Sequence, residues 1–126
     1  MIQIGHTHTE TQVVTDALTA KTMGSGSLDV FATPAMVALM EKAACGAVAK
    51  ILTPEQTTVG IKIDVEHLAP SGLGETITAT ATVDAIAGKQ IELLVVAHDS
   101  RGRIGQGMHQ RVIVSIEKFM SKVSGE

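Results

Sequence analysis

Two ionisable side chains stand where the apolar pattern leaves little room for them. Glu41 lies on the flank of an otherwise apolar helical face, where a carboxylate is costly unless it is paired, solvated in a cleft or used in chemistry. His67 fills an apolar-face slot in a run of alternating residues. Each has a structural reading too, Glu41 as a boundary residue making a surface contact and His67 as a satisfied core histidine. Thr33 precedes Pro34 at the start of the helix that carries Glu41. Its hydroxyl oxygen can cap that helix, worth about 1 kcal/mol, and the free N–H groups and positive dipole end beside it can also serve a developing oxyanion.

Gly60, in the strand leading to His67, marks either a bulge or a place where a ligand meets the backbone. In the final strand Gly105, Gly107, His109 and Arg111 alternate onto one face. Close packing of sheet on helix explains the glycines, whereas arginine is a usual partner of phosphate or carboxylate groups. The early pair His6 and His8 has no third ligand spaced near it and sits at a chain terminus, so it is read as a tail and not as a metal site.

These residues need one helix and several strands to position them. Thr33 as N-cap, Pro34 at the first helical position and Leu52-Thr53-Pro54 as a stop define a helix from Thr33 to Ile51. Met36, Val37, Met40, Ala43, Ala44, Ala47, Val48 and Ile51 form its apolar arc, with Glu41 at the edge. The period then changes from 3.6 to 2, the mark of strands with one buried face. From Thr57 to Leu68, Val59, Ile61, Ile63, Val65 and His67 point one way.

A second strand covers Thr76 to Ile86, and a third, Gln90 to His98, is apolar on both faces and so reads as central. A last strand runs from about Arg103 to Glu117, and Thr9 to Val14 can supply one more ahead of the helix. The piece from Met23 to Ser27 reads as a mobile loop. Short connections favour antiparallel pairing, and a sheet curled around one apolar helix is an α+β arrangement. Its open edges predict a homodimer joined edge to edge.

Composition narrows the function. The 126 residues fit one domain, 1–126, and 44% of them are apolar, yet there is no Trp or Tyr and only Phe31 and Phe119 to stack on anything. With a net charge of −3 and scattered basic residues the chain lacks the footprint of a nucleic-acid binder. The single Cys45 excludes an intramolecular disulfide, no stretch is long and apolar enough for a membrane span, and the first residues lack a signal-peptide pattern; a cytoplasmic setting is expected.

The runs Val30-Phe31-Ala32-Thr33-Pro34-Ala35-Met36-Val37-Ala38-Leu39-Met40-Glu41, then His67, then Gly105-Gln106-Gly107-Met108-His109-Gln110-Arg111 carry a resemblance. The chain resembles the hotdog-fold thioesterases of the fluoroacetyl-CoA thioesterase-like group from about Thr9 to Lys122. What the resemblance implies is a dimeric enzyme with its sites near the subunit interface, and no metal or other cofactor. By position, Thr33, Glu41 and His67 correspond to a Thr/Glu/His constellation that cleaves acyl-CoA, and Gly60 and Arg111 to its acyl-CoA binding surface. One departure concerns the substrate: members selective for fluoroacetyl-CoA carry phenylalanines just before the helix, where this chain reads Gly24-Ser25-Gly26-Ser27-Leu28. A generic short or medium acyl-CoA is therefore expected.

The expected chemistry is attack on the thioester carbonyl by Glu41, or by a water it deprotonates, with His67 placing the reacting groups or protonating the leaving thiolate. Two alternatives share the fold: an acyl-CoA binding module without catalysis, and an enoyl-CoA hydratase. The hydratase needs an Asp/His pair, and Asp64 with His67 points to opposite faces of the strand.

Overall fold

The computed structural model describes residues 3–125. Strand β1 (Thr7–Val13) leads through a 3-10 turn into a one-turn helix α1 (Ala20–Met23), followed by the long helix α2 (Thr33–Val48). Strands β2 (Gln56–His67), β3 (Thr76–Ala87), β4 (Gln90–Asp99) and β5 (Gly102–Ser115) come next, and a helix α3 (Ile116–Ser124) ends the chain. The five strands form one antiparallel sheet in the order β1-β3-β4-β5-β2. Strand β4 is thus the central one, as its apolar composition predicts, and β2 is an open edge.

Helix α2 lies across β1, β3 and β4. Its buried residues include Met36, Met40, Ala43, Ala44 and Ala47, and they meet Ile77, Ala79, Ala81, Leu93 and Val95 of the sheet. With alanine on both sides the helix settles close to the backbone of the strands, and the two buried methionines fill the irregular gaps. Glycines deepen the fit. A Cβ at Gly105 would overlap the Met36 sulfur, and one at Gly46 would overlap the ring of His8, so the side chain of each neighbour rests on bare backbone.

Several boundaries differ from the sequence reading, each for a local reason. The N-cap is Ala32, without a side-chain cap, and Thr33 is the first helical residue. Backbone bonds from Phe31 to the Ser71 carbonyl (2.8 Å) and from Ala32 to the Leu18 carbonyl (2.9 Å) hold those residues extended, so the helix cannot start earlier and the Thr33 hydroxyl is free for other use. The helix ends at Val48, and its last turn tightens into a 3-10 turn over Ala49–Ile51. Ala35 and Leu39 are buried, whereas Val37 and Ile51 are half-buried, because the helix rolls slightly toward β1.

In β2 the pairing with β5 shifts between Gly60 and Lys62. This bulge puts Thr58 and Gly60 on the inward face before it, and Ile63, Val65 and His67 after it, so Val59 and Ile61 do not share the face of His67. His8 belongs to β1, not to a tail, and Met23 ends α1, which is capped by Gly24 in the left-handed region at φ 78°. The last strand stops at Ser115, whose hydroxyl accepts from the Lys118 N–H and starts α3. Among the described residues no helix is long and apolar enough to cross a membrane.

Close strand packing makes a sharp test of this geometry. A Cβ at Gly107 would collide with the Asp64 carbonyl oxygen and lie 2.6 Å from the Val65 Cα, backbone atoms that cannot swing aside. Gly107→Ala is expected to lower unfolding free energy by about 1–3 kcal/mol in urea titrations. Gly72→Ala, with open space around its Cβ, should stay within about 0.5 kcal/mol of the parent.

Candidate active site

The first turn of α2 crosses the end of β2, and there Thr33 Oγ1 and His67 Nδ1 are 2.8 Å apart. The hydroxyl donates to the ring nitrogen or accepts from it, according to the tautomer. The His67 ring stands edge-on to Phe31, with centroids 6.4 Å apart, and its Nε2 is buried without a hydrogen-bond partner. Burial holds the His67 pKa below the ordinary histidine value, with the Ala69 backbone pulling the other way. A cleft of about 270 Å³ opens over the pair, lined also by Ala20, Ser25, Val30 and Ala69.

Two turns further along α2, Glu41 sits over the β2 bulge in a separate cleft of about 210 Å³. Its Oε2 accepts from Arg111 Nη1 at 3.3 Å and lies 3.9 Å from His109 Nε2. Gly60 lies beneath it, and a Cβ there would be 2.8 Å from that oxygen and 3.0 Å from the His109 ring, crowding the carboxylate. Arg111 is only 6% exposed, and its Nε and Nη2 donate to the hydroxyl and carbonyl oxygens of Thr58, both at 2.9 Å. Within the chain the Arg111 guanidinium is thus held by Thr58 and reaches Glu41.

The structure thus brings Thr33 together with His67, and Glu41 together with Gly60 and Arg111, but it does not bring the two groups together within one chain. Eight residues of helix separate Thr33 from Glu41, an axial distance of about 12 Å. Two contributors escaped the sequence reading. Thr58 carries no signal beyond its place in the strand, and His109 was visible only as a member of the Arg111 face. Asp64 lies on the outer sheet face beside Glu66 and Met108, away from His67. Among the described residues no group of three histidine, cysteine, aspartate or glutamate side chains could hold a metal ion.

Both imidazoles favour the neutral form. For His109 burial is again the main cause, the Lys62 carbonyl opposes it, the Arg111 charge adds to it and Glu41 opposes it. Unfolding restores the ordinary value near 6.5, so below that pH the unfolded chain binds more protons and stability must fall. Urea midpoints are expected to hold level above pH 6.5 and to decline below it, with a shallower decline in His109→Gln; equal slopes in parent and variant would show that His109 takes no part.

The comparisons with known proteins agree with this fold. The family model described as fluoroacetyl-CoA-specific thioesterase matches residues 14–117. The fluoroacetyl-CoA thioesterase of Streptantibioticus cattleyicolor is 41% identical over 95 residues, 75% of this chain and 68% of that protein. A solved structure of the fluoroacetyl-CoA thioesterase FlK superposes with a TM-score of 0.94 at 33% identity, covering 100% of this chain and 98% of that one. A thioesterase superfamily member from Thermus thermophilus gives 0.91 at 25% identity, over 98% and 92% of the two chains. A helix over an antiparallel five-stranded sheet, with this family match across most of its length, places the chain in the fluoroacetyl-CoA-specific thioesterase family, as an acyl-CoA thioester hydrolase of the hotdog fold.

Proposed function

We propose that the enzyme hydrolyses a short or medium acyl-CoA at a composite site, in which Thr33 and His67 of one copy face Glu41 of a second. The observation that carries this reading is the split itself: both half-sites lie along β2, and β2 is an unpaired edge of the sheet. That edge exposes Ile61 (52%) and Ile63 (36%), an aggregation hazard unless another strand covers it. Two copies of β2 paired antiparallel about a dyad at Ile63 set Lys62 of each opposite Asp64 of the other, a favourable cross-strand charge pair. The same dyad lays the Gly60 end of one strand beside the His67 end of the other, and so Glu41 beside the Thr33–His67 pair.

In this arrangement Glu41 attacks the thioester carbonyl or takes a proton from the water that does. Thr33 orients the reacting group, and N–H groups at the start of α2 stabilise the oxyanion. The C–S bond then breaks and CoA leaves as the thiol, taking the proton that Glu41 drew from the water; where Glu41 itself attacks, CoA leaves as the thiolate and water then cleaves the acyl-glutamyl anhydride, releasing the acid, restoring the carboxylate and giving its proton to the thiolate. A threonine-to-serine variant of FlK was solved with acetyl-CoA and superposes with a TM-score of 0.92 at 34% identity, which supports acyl-CoA as the ligand here. The acyl group is assigned to the cleft at Thr33, walled by Ala20, Ser25, Val30, Phe31, Leu68, Ala69 and Pro70. The segment Gly24-Ser25-Gly26-Ser27-Leu28 brings no aromatic side chain to it, which favours a generic acyl chain over fluoroacetyl. Cys45 forms no intramolecular bridge, in keeping with a cytoplasmic enzyme.

Thiol release from acyl-CoAs of increasing length tests the activity, and Glu41→Gln is expected to cut kcat by at least about a hundredfold. Release of no thiol from any of them would leave a binding module. The composite site has its own test. If inactive Glu41→Gln and His67→Ala proteins are unfolded and refolded together, half the dimers are mixed and each mixed dimer holds one intact site, so about a quarter of parental activity should return. A mixture that stays inactive would show that both residues act from the same chain.

A further inference from the structure

The hydrolysis leaves one buried titratable side chain without a task. His109 is 1% exposed on the inward face of β5, under the Glu41 carboxylate, and both its ring nitrogens are engaged. Nδ1 lies 2.8 Å from the Lys62 carbonyl oxygen. That oxygen can only accept, so Nδ1 carries a hydrogen. Nε2 lies 3.0 Å from Arg111 Nη1. A guanidinium nitrogen can only donate, so Nε2 must be bare. The neighbours on either side thereby fix one neutral tautomer, since a second ring proton would turn an N–H toward the Arg111 N–H and set two cations in contact.

The nitrogen that donates to His109 is also the one that holds Glu41. Nη1 has two hydrogens, and with one taken by His109 the other is directed to Glu41 Oε2 at 3.3 Å. Thr58 secures the rest of the guanidinium through Nε and Nη2. Among the described residues no other hydrogen bond holds Glu41, whose side chain is 41% exposed. The charged groups facing the ring are Glu41 from α2 and Arg111 from β5. Strand β4 pairs apolar Leu93 with His109, and β2 offers the Lys62 carbonyl and Gly60.

We propose that His109 is a positioning residue for the thioesterase: as the neutral Nδ1–H tautomer it accepts from Arg111 and so aims that side chain at Glu41, without touching substrate. The bulge between Gly60 and Lys62 is part of the device, because it delivers the Lys62 carbonyl to Nδ1 and clears the space above the ring. Protonation of His109 breaks the Arg111 contact and releases Glu41, so activity falls in acid by a route separate from substrate binding. The inference rests on Glu41 as the reacting carboxylate.

Two measurements test it on the full chain. In ¹⁵N-labelled protein, two-bond proton–nitrogen correlations are expected to show His109 as the Nδ1–H tautomer, with a titration midpoint below that of an ordinary histidine; an Nε2–H pattern, or a midpoint at or above the ordinary value, overturns the proposal even if every variant misfolds. In kinetics, His109→Leu should lower kcat on the order of a hundredfold with KM little altered. His109→Gln, whose amide oxygen can accept from Arg111, should recover most of that loss, and an equal loss in both variants would mean packing alone. In a Glu41→Gln background His109→Leu should cost nothing more, and a further equal loss would show that it does not act through Glu41. Full activity in Glu41→Gln alone would bring down the catalytic reading, and this inference with it, while leaving the tautomer assignment intact.

Discussion

Helix α2 can meet its chemical partners only because three glycines take side chains away from the places it touches. Gly46 receives the His8 ring of β1, Gly105 receives Met36, and Gly60 receives the Glu41 carboxylate. The separation of helix and sheet is set at these points, and the alanines between them keep to it. A larger residue at any of them would crowd the side chain seated there, next to the 2.8 Å contact from Thr33 to His67 and the 3.3 Å contact from Arg111 to Glu41. A core almost without aromatic side chains is thus a condition of the site and not an accident of composition.

Much of this was legible in the sequence, because it follows from period and side-chain type. The single long helix, the four strands after it and their buried faces at Ile77, Ala79, Ala81 and Val83 are products of alternation, which local sequence records directly. What escaped was decided by contacts distant in sequence. The cap moved to Ala32 because Leu18 and Ser71 bind the preceding backbone. The bulge at Gly60 broke an alternation that looked unbroken, since Val59, Ile61 and Ile63 are all apolar. Helix α3 was overlooked although Ser115 and Gly125 mark its ends, because Val112, Ile113 and Val114 extend the strand pattern up to it. Thr33, Glu41 and His67 each stand out as unusual from their neighbours alone, yet sequence could not show that Glu41 lies in a different cleft.

Arg111 shows what the interior demands of a charged side chain. Here it is buried, and burial of a charge is tolerable only with full hydrogen bonding and a counter-charge. Thr58 supplies two acceptors, His109 a third and Glu41 the opposite charge. Lysine could not replace it: a single ammonium lacks the fixed fork that spans two strands and a helix at once.

The division of the site along β2 gives the bulge a second consequence. Alternation continued regularly from Thr58 and Gly60 would turn Lys62 inward and Ile63, Val65 and His67 outward, taking the imidazole away from Thr33. The extra residue, Ile61, is exposed at the open edge, where it adds apolar surface for a second copy to cover. One backbone irregularity therefore keeps the imidazole at Thr33, supplies the carbonyl that fixes the His109 tautomer, and makes the edge adhesive. If the two copies meet there, catalysis and assembly are tied to the same few residues, and a chain that lost the bulge would lose both.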